Sequence, residues 1–215
     1  MKAYDSGDIR NIALVGHQGA GKTMVAEGLL FASGAINRMG SIHDGTTASD
    51  YHESEHKREM SVFSSLLSTD FKGKKFNILD TPGCPDVRGE VVSSLRVTDS
   101  AVFVLNAADP VQVGTEVAWG FAEKAHLPIV FVVNHCDRNG VEFDSVVETV
   151  QKRFGRAATV LQLPAGDARR SQHGVERLVI DQARAHRLQH LDGAGSVTSG
   201  ERGARSLGEI HNEVR

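Results

Sequence analysis

One glycine-rich stretch near the N-terminus constrains the fold of this chain more than any other feature. Residues 16–23 match the pattern G-x-x-x-x-G-K-S/T, which forms a phosphate-binding loop. Glycines let backbone N–H groups ring a polyphosphate, Lys22 would reach its β- and γ-phosphates, and the Thr23 hydroxyl suits Mg²⁺. An apolar run at 12–15 predicts a buried strand before the loop, and helical spacing predicts a helix after it. The predicted ligand contacts are Gly16, His17, Gln18, Gly19, Ala20, Gly21, Lys22 and Thr23.

Alternating strand and helix patterns predict a three-layer α/β fold with a mostly parallel sheet. The continuous apolar run at 101–105 is typical of a parallel strand that is buried on both faces. Residues 70–74 have hairpin-turn chemistry and predict one antiparallel edge hairpin. The expected strands are 9–16, 61–67, 76–79, 101–105, 129–133 and 159–163, and the expected helices are 21–33, 87–95, 117–125 and 146–154. Ligands of such folds bind at the carboxyl ends of the strands.

Length and composition narrow the class of protein. A chain of 215 residues predicts one domain, and a net charge of −3 argues against direct DNA binding by bulk electrostatics. The only cysteines are Cys84 and Cys136, which is no disulfide framework and favours a reducing compartment. No apolar run is long enough to span a membrane, and residues 1–10 lack a signal-peptide core. We therefore expect a cytoplasmic protein without membrane association.

Two stretches depart from the alternating pattern. Residues 35–60 are polar and irregular, which indicates a functional or mobile loop, and the charges at 53–59 predict one exposed helical turn within it. Beyond about residue 182, apolar residues thin out and Gly, Ser, Arg and His take over. The chain is accordingly divided into a main domain at 1–165, a following segment at 166–181 and a weakly ordered tail at 182–215.

Two short motifs follow predicted strands and add chemistry to the phosphate loop. Asp80, Thr81, Pro82 and Gly83 end one strand, where the Asp80 carboxylate would hold a metal-bound water and the Gly83 N–H could meet a γ-phosphate. Asn134, His135, Cys136 and Asp137 end another strand, and the Asp137 carboxylate can accept both hydrogen bonds from the N1–H and N2–H₂ edge of guanine. Taken alone, each motif also reads as an ordinary polar turn.

The order G-x-x-x-x-G-K-T, D-T-P-G, N-x-x-D resembles that of GTP-binding proteins. More closely, the chain resembles the G domain of elongation factor G and its relatives, over roughly residues 8–180. Residues 10–13, 45–61, 114–116 and 133–138 contribute to the likeness. The resemblance implies binding of GTP and GDP with Mg²⁺, hydrolysis on the ribosome, and a switch loop that orders around the γ-phosphate. It also implies the metal ligands Thr23, Ser61 and Asp80, where Ser61 occupies the position of the family's threonine.

Four departures from the family pattern bear on activity. Cys84 stands where the family commonly has the histidine that positions the attacking water, and His135 replaces a lysine beside the base. The serine-alanine turn that backs the guanine is not recognisable, and the later domains of full-length members do not follow. These departures predict a C-terminally incomplete G domain, with the strand at 129–133 left at an open sheet edge.

Three hypotheses follow for the function. The first is a GTPase domain of the elongation factor G type with slow hydrolysis, in which Cys84 stands at the catalytic position. The second is a non-catalytic, truncated nucleotide-binding remnant. The third is an unrelated phosphate-loop ATPase, against which Asp137 argues because adenine offers no matching pair of donors.

Overall fold

The computed structural model describes residues 3–162 and the backbone of a strand at 176–180. In this part of the chain, a seven-stranded sheet has the order β2-β3-β1-β4-β5-β7-β6. The strands are β1 (Ile9–Val15), β2 (Ser65–Phe71), β3 (Lys74–Asp80), β4 (Ser100–Asn106), β5 (Ile129–Asn134), β6 (Ala158–Val160) and β7 (Glu176–Ile180). The helices are α1 (Lys22–Ala32), α2 (Glu53–Arg58), α3 (Arg88–Leu95), α4 (Val113–Lys124) and α5 (Phe143–Phe154).

The predicted α/β class is confirmed. Strands β3, β1, β4 and β5 are parallel, and β2 pairs with β3 as the predicted antiparallel edge hairpin. The hairpin turns through Lys72 and Gly73, which both have positive φ, as a two-residue turn of the primed type requires. Outside the parallel part of the sheet, β7 runs antiparallel between β5 and β6.

Three sequence expectations about strands need correction. The strand expected at 61–67 begins only at Ser65, since residues 61–64 are held by side chains of other elements. The strand expected at 159–163 as the last one covers Ala158–Val160, and β7 follows it in the chain. The expectation of an open sheet edge beside residues 129–133 is wrong, because β7 pairs with β5 there. The expected tail at 182–215 lies outside the described residues.

Two apolar layers flank the sheet. On one face, strand residues such as Phe103 and Phe131 pack with Trp119 of α4 and Phe154 of α5, and the rings of Trp119 and Phe154 lie 4.6 Å apart. On the other face, Leu14 and Val104 pack against α1. Both layers contain fully buried side chains, which is where most of the hydrophobic stabilisation of the fold arises. The two layers cover the faces of the sheet and leave the carboxyl ends of the parallel strands to carry loops.

Candidate functional site

The phosphate loop has the backbone geometry that its glycines allow. Gly19 and Gly21 have φ values of 77° and 89°, in the left-handed region that favours glycine. A side chain on Gly21 would overlap the Asn134 side chain, so the loop lies directly against the end of β5. The N-cap residue of α1 is Gly21, which has no side chain to cap the first turn, so the backbone N–H groups there can meet an anion.

Lys22 is almost completely buried within this loop. The side chain is 6% exposed, and its Nζ donates hydrogen bonds to the carbonyl oxygens of Gly16 at 3.2 Å and His17 at 3.0 Å. Burial lowers the pKa of Lys22 to about 8, although the carboxylates of Asp80 and Asp50 act in the opposite direction. The loop therefore contains a desolvated cation whose charge is only partly balanced, which is suited to binding a polyphosphate.

Asp80, at the end of β3, lies beside the first turn of α1. It is 1% exposed, and its Oδ2 accepts a hydrogen bond from the Thr23 hydroxyl at 2.8 Å. Burial raises the pKa of Asp80 to about 6, against the lowering effects of the Thr23 hydrogen bond and the Lys22 charge. The Oδ1 atom of Asp80 is buried and has no hydrogen-bond partner among the described residues. An unsatisfied carboxylate oxygen of this kind is costly unless a ligand meets it.

Ser61, which directly follows the loop at 35–60, lies beside Thr23. Its Oγ lies 3.2 Å from the Thr23 Oγ1 and donates a hydrogen bond to Asp50 Oδ1 at 2.7 Å. Asp50 is itself buried, and burial raises its pKa above the usual range. The hydroxyls of Thr23 and Ser61 and the carboxylates of Asp80 and Asp50 thus form one connected set of oxygens.

This set fits Mg²⁺. The ion prefers hard oxygen ligands and is commonly bound by one or two carboxylates together with hydroxyls and substrate phosphates, rather than by a dedicated protein cage. The residues that the structure describes contain no cluster of three or more His, Cys, Asp or Glu side chains that could hold a metal on their own. The unsatisfied Asp80 Oδ1 and the oxygen-only donor set are the observations that support the fit.

The turn after β3 is fastened to β1 and packs against the phosphate loop. The Thr81 hydroxyl donates to the Leu14 carbonyl at 2.7 Å, and Pro82 is buried behind it. Gly83 lies so close to the loop that an added Cβ would overlap Lys22 Nζ and Gln18 N. Cys84 is half-buried, with its Sγ 3.8 Å from Asp86 Oδ2. The structure therefore brings the predicted D-T-P-G motif directly onto the phosphate loop.

The motif after β5 lies at the other side of the loop. The Asn134 side chain donates to the Ala20 carbonyl at 2.9 Å, and His135 Nε2 lies 3.3 Å from the Gly19 carbonyl. His135 has a φ of 63°, which turns the chain sharply so that Cys136 and Asp137 follow in a turn. Asp137 is exposed and makes no side-chain hydrogen bond within the described part of the chain. Its carboxylate is thus available to a ligand next to the phosphate loop.

Contacts of three further side chains are not evident from the motifs. His17 Nδ1 accepts the Gly114 N–H at 3.2 Å and so connects the phosphate loop to the start of α4. Glu27 and Glu55 are each 1% exposed. Glu27 accepts hydrogen bonds from backbone amides of the loop at 35–60, and Glu55 accepts one from the Val62 amide just after that loop. The only sequence signal for Glu27 was an acidic residue on the apolar face of a predicted helix, one turn after Thr23.

Comparisons with known proteins show which sequences this chain resembles. The sequence model of the family described as "Elongation factor Tu GTP binding domain" matches residues 7–205. Elongation factor G 2 of Streptomyces coelicolor is 35% identical over 192 residues, covering 89% of this chain and 27% of that protein. Elongation factor G of Granulibacter bethesdensis is 38% identical over 158 residues, covering 74% of this chain and 23% of that protein.

A solved structure shares the fold. A crystal structure of a protein from Thermus thermophilus superposes with a TM-score of 0.72 at 30% sequence identity, covering 87% of this chain and 30% of that one.

The chain spans about a quarter of the length of the curated relatives that it matches. Among the residues described, no helix is long and apolar enough to cross a membrane.

Proposed function

The chain belongs to the family of the elongation factor Tu GTP-binding domain, and from this premise we propose that it binds GTP and GDP with Mg²⁺ and hydrolyses GTP slowly. The observation that carries the proposal is that Thr23 lies within hydrogen-bonding distance of both Ser61 and Asp80, next to the buried Lys22 of the phosphate loop. A desolvated ammonium and an oxygen-only set of donors are what a Mg²⁺–polyphosphate complex requires of a protein.

In this proposal, Lys22 exchanges its two carbonyl partners for phosphate oxygens. The hydrogen bonds to Gly16 and His17 are those of a neutral acceptor with a cation, and a phosphate offers a stronger, charged acceptor. The backbone N–H groups of the loop and of the first turn of α1 would meet the remaining phosphate oxygens. The positive charge that burial disfavours is then paired, which adds to the affinity for nucleotide.

Thr23, Ser61 and Asp80 would hold Mg²⁺ in the proposed site. When bound, the ion neutralises charge that develops on the phosphates during transfer. Asp80 has a pKa raised to about 6, so the carboxylate is mostly ionised at neutral pH. The role of the protein residues is to present their oxygens on rigid elements, since Thr23 lies on α1 and Asp80 ends β3.

Base choice is assigned to Asp137. Its exposed carboxylate can accept two hydrogen bonds from guanine, whereas adenine would leave it unmatched. Asn134 supports the turn by its hydrogen bond to the Ala20 carbonyl, and His135 lies beside Gly19. We expect guanine nucleotides to be preferred over ATP for this reason.

Slow hydrolysis is proposed because of Cys84. A thiol orients a water molecule only weakly, and catalysis of phosphoryl transfer depends mainly on positioning and electrostatics. Its Sγ lies 3.8 Å from the Asp86 carboxylate. A thiol that donates to Asp86 is less able to orient a water molecule, so this contact favours, as a second candidate, a domain that binds guanine nucleotide without hydrolysing it.

By family membership, the ribosome is the proposed partner and the cytoplasm the proposed compartment.

Equilibrium titration with GTP, GDP and ATP analogues in the presence of Mg²⁺ tests the proposal. We expect GTP and GDP to bind and ATP to bind much more weakly, and single-turnover hydrolysis then separates the slow GTPase from the non-hydrolysing candidate. Lys22→Ala should abolish most of the binding, while Lys72→Ala, at an exposed hairpin turn, serves as the matched control. Equal affinity for ATP and GTP would contradict the assignment of Asp137.

A further inference from the structure

The carboxylate of Glu27 holds both ends of a surface loop that leads into the site. Glu27 lies on α1, one helical turn after Thr23 and on the same face. Its Oε2 accepts the Gly40 N–H at 2.7 Å, and its Oε1 accepts the Ala48 N–H at 2.6 Å. The side chain is 1% exposed, so the carboxylate oxygens that accept these hydrogen bonds are shielded from water. One buried side chain thus closes the neck of the loop at 40–48.

The loop at 40–48 is also tied together internally. The Thr46 N–H donates to the Ser41 carbonyl at 3.1 Å, and the Ser41 N–H donates to the Thr46 hydroxyl at 2.9 Å. At the neck, Gly40 packs so tightly that an added Cβ would overlap the Thr46 carbonyl. The loop thus holds its own shape, and Glu27 joins its two ends to α1, while His43 pairs with Glu59 at the surface.

The residues after this loop reach the nucleotide site. Ser49 and Asp50 follow Ala48 directly and are buried. Asp50 accepts the Ser61 hydroxyl, and the Ser61 oxygen lies 3.2 Å from that of Thr23. Thr23 and Glu27 therefore hold two points of one continuous segment on the same helix face.

We propose that Glu27 is a positioning residue that holds residues 40–50 closed against the site and thereby sets the rate of guanine-nucleotide release. This inference rests on the proposed function. Hydrogen bonds to a buried carboxylate are stronger than neutral ones, and two of them converge on this side chain. When the neck opens, the segment that leads to Asp50 loses its attachment to α1 and is left with contacts further along the chain, such as the Ser65 hydroxyl on the Ser49 carbonyl. The site then becomes more accessible to solvent on that side.

Glu27→Gln tests the inference with little change in volume. Glutamine can accept one of the two N–H groups through its carbonyl oxygen, but its NH₂ group then faces the other N–H, donor against donor. Hydrogen exchange at Gly40 and Ala48 and release of fluorescently labelled GDP should each become about tenfold faster, given the usual cost of an unsatisfied buried group. The association rate should not change, since the phosphate loop and Asp137 are untouched.

Glu53→Gln is the matched control, because Glu53 is an exposed acidic residue of α2 whose ion pair with Lys57 lies on the surface. It should leave both rates unchanged. Glu27→Asp, which keeps the charge but shortens the side chain, serves as a second variant if glutamine impairs folding, and we expect a smaller acceleration of both rates.

The hydrogen-exchange measurement and the nucleotide-release measurement can contradict the inference independently of each other. Unchanged exchange at Gly40 and Ala48 in both Glu27 variants would overturn the inference, and so would faster exchange with unchanged GDP release. If the unmodified chain binds no guanine nucleotide, the proposed function is wrong and the control of release falls with it. Hydrogen exchange would still report whether Glu27 holds the neck of the loop.

Discussion

Replacing Asp80 by asparagine should stabilise the ligand-free domain at neutral pH, although it removes a side chain of the proposed metal site. Asp80 is 1% exposed, and burial raises its pKa from 3.8 to about 6. At pH values between these two pKa values, the folded state binds more protons than the unfolded state. The contribution of Asp80 to stability is therefore greatest at low pH and is lost as the pH rises through 6.

The size of this effect on stability follows from the change in the pKa of Asp80 on folding. A pKa raised from 3.8 to about 6 corresponds to about 3 kcal/mol of lost stability above both values. Between about pH 4.5 and pH 6.5, the same two values give a change of about 2 kcal/mol. Lys22, with a pKa of about 8, stays charged in the unmodified protein over that range. Asp50, whose pKa is also raised by burial, is present in both proteins, so its titration cancels in the difference and Asp80 dominates.

Urea unfolding of the two proteins at several pH values measures this effect. We expect the free energy of unfolding of Asp80→Asn, minus that of the unmodified chain, to rise by about 2 kcal/mol from about pH 4.5 to pH 6.5. Asp109→Asn, at an exposed aspartate, is the control and should show no such rise. A difference that stays constant with pH, or that falls, would refute the argument that burial disfavours the ionised Asp80 carboxylate.

Three further substitutions test the proposed roles in binding and hydrolysis. Lys22→Ala should weaken GDP binding by roughly a hundredfold in calorimetric titration, because it removes a charge-assisted contact to phosphate; an unchanged affinity would contradict the phosphate site. Asp137→Asn should reduce the preference for GTP over ATP in competition binding, since an amide donates as well as accepts. Cys84→His should leave single-turnover GTP hydrolysis unchanged or faster, and a marked slowing would assign the thiol a role of its own.

Local pattern predicted most of the fold and the outline of the candidate site. Residues 16–23 and Asp80 could be located because a glycine loop or an acidic turn directly follows an apolar strand, and parallel strands bring such ends together. The hairpin was likewise visible in the turn chemistry at 70–74. These features depend on neighbours in sequence, which is the information that periodicity carries.

Features that depend on distant partners were not predicted. Strand β7 has only a short apolar run, and its place between β5 and β6 depends on pairing with strands that precede it. The apolar pattern predicts too early a start for β2, because Val62 and Phe63 donate to the Glu55 side chain rather than to a neighbouring strand. The contacts of Glu27 with Gly40 and Ala48 depend on how an irregular loop folds back, for which the sequence has no periodic signal.

The aromatic cluster under α4 and α5 has a practical consequence. Trp119 is the only tryptophan of the chain, it is 8% exposed, and its ring stacks on Phe131 at 6.0 Å. Its intrinsic fluorescence therefore reports on the packing of the core on the sheet face away from α1, without a label. Unfolding should shift this emission to longer wavelengths as the indole enters water, so the chain carries its own optical probe for the stability measurements.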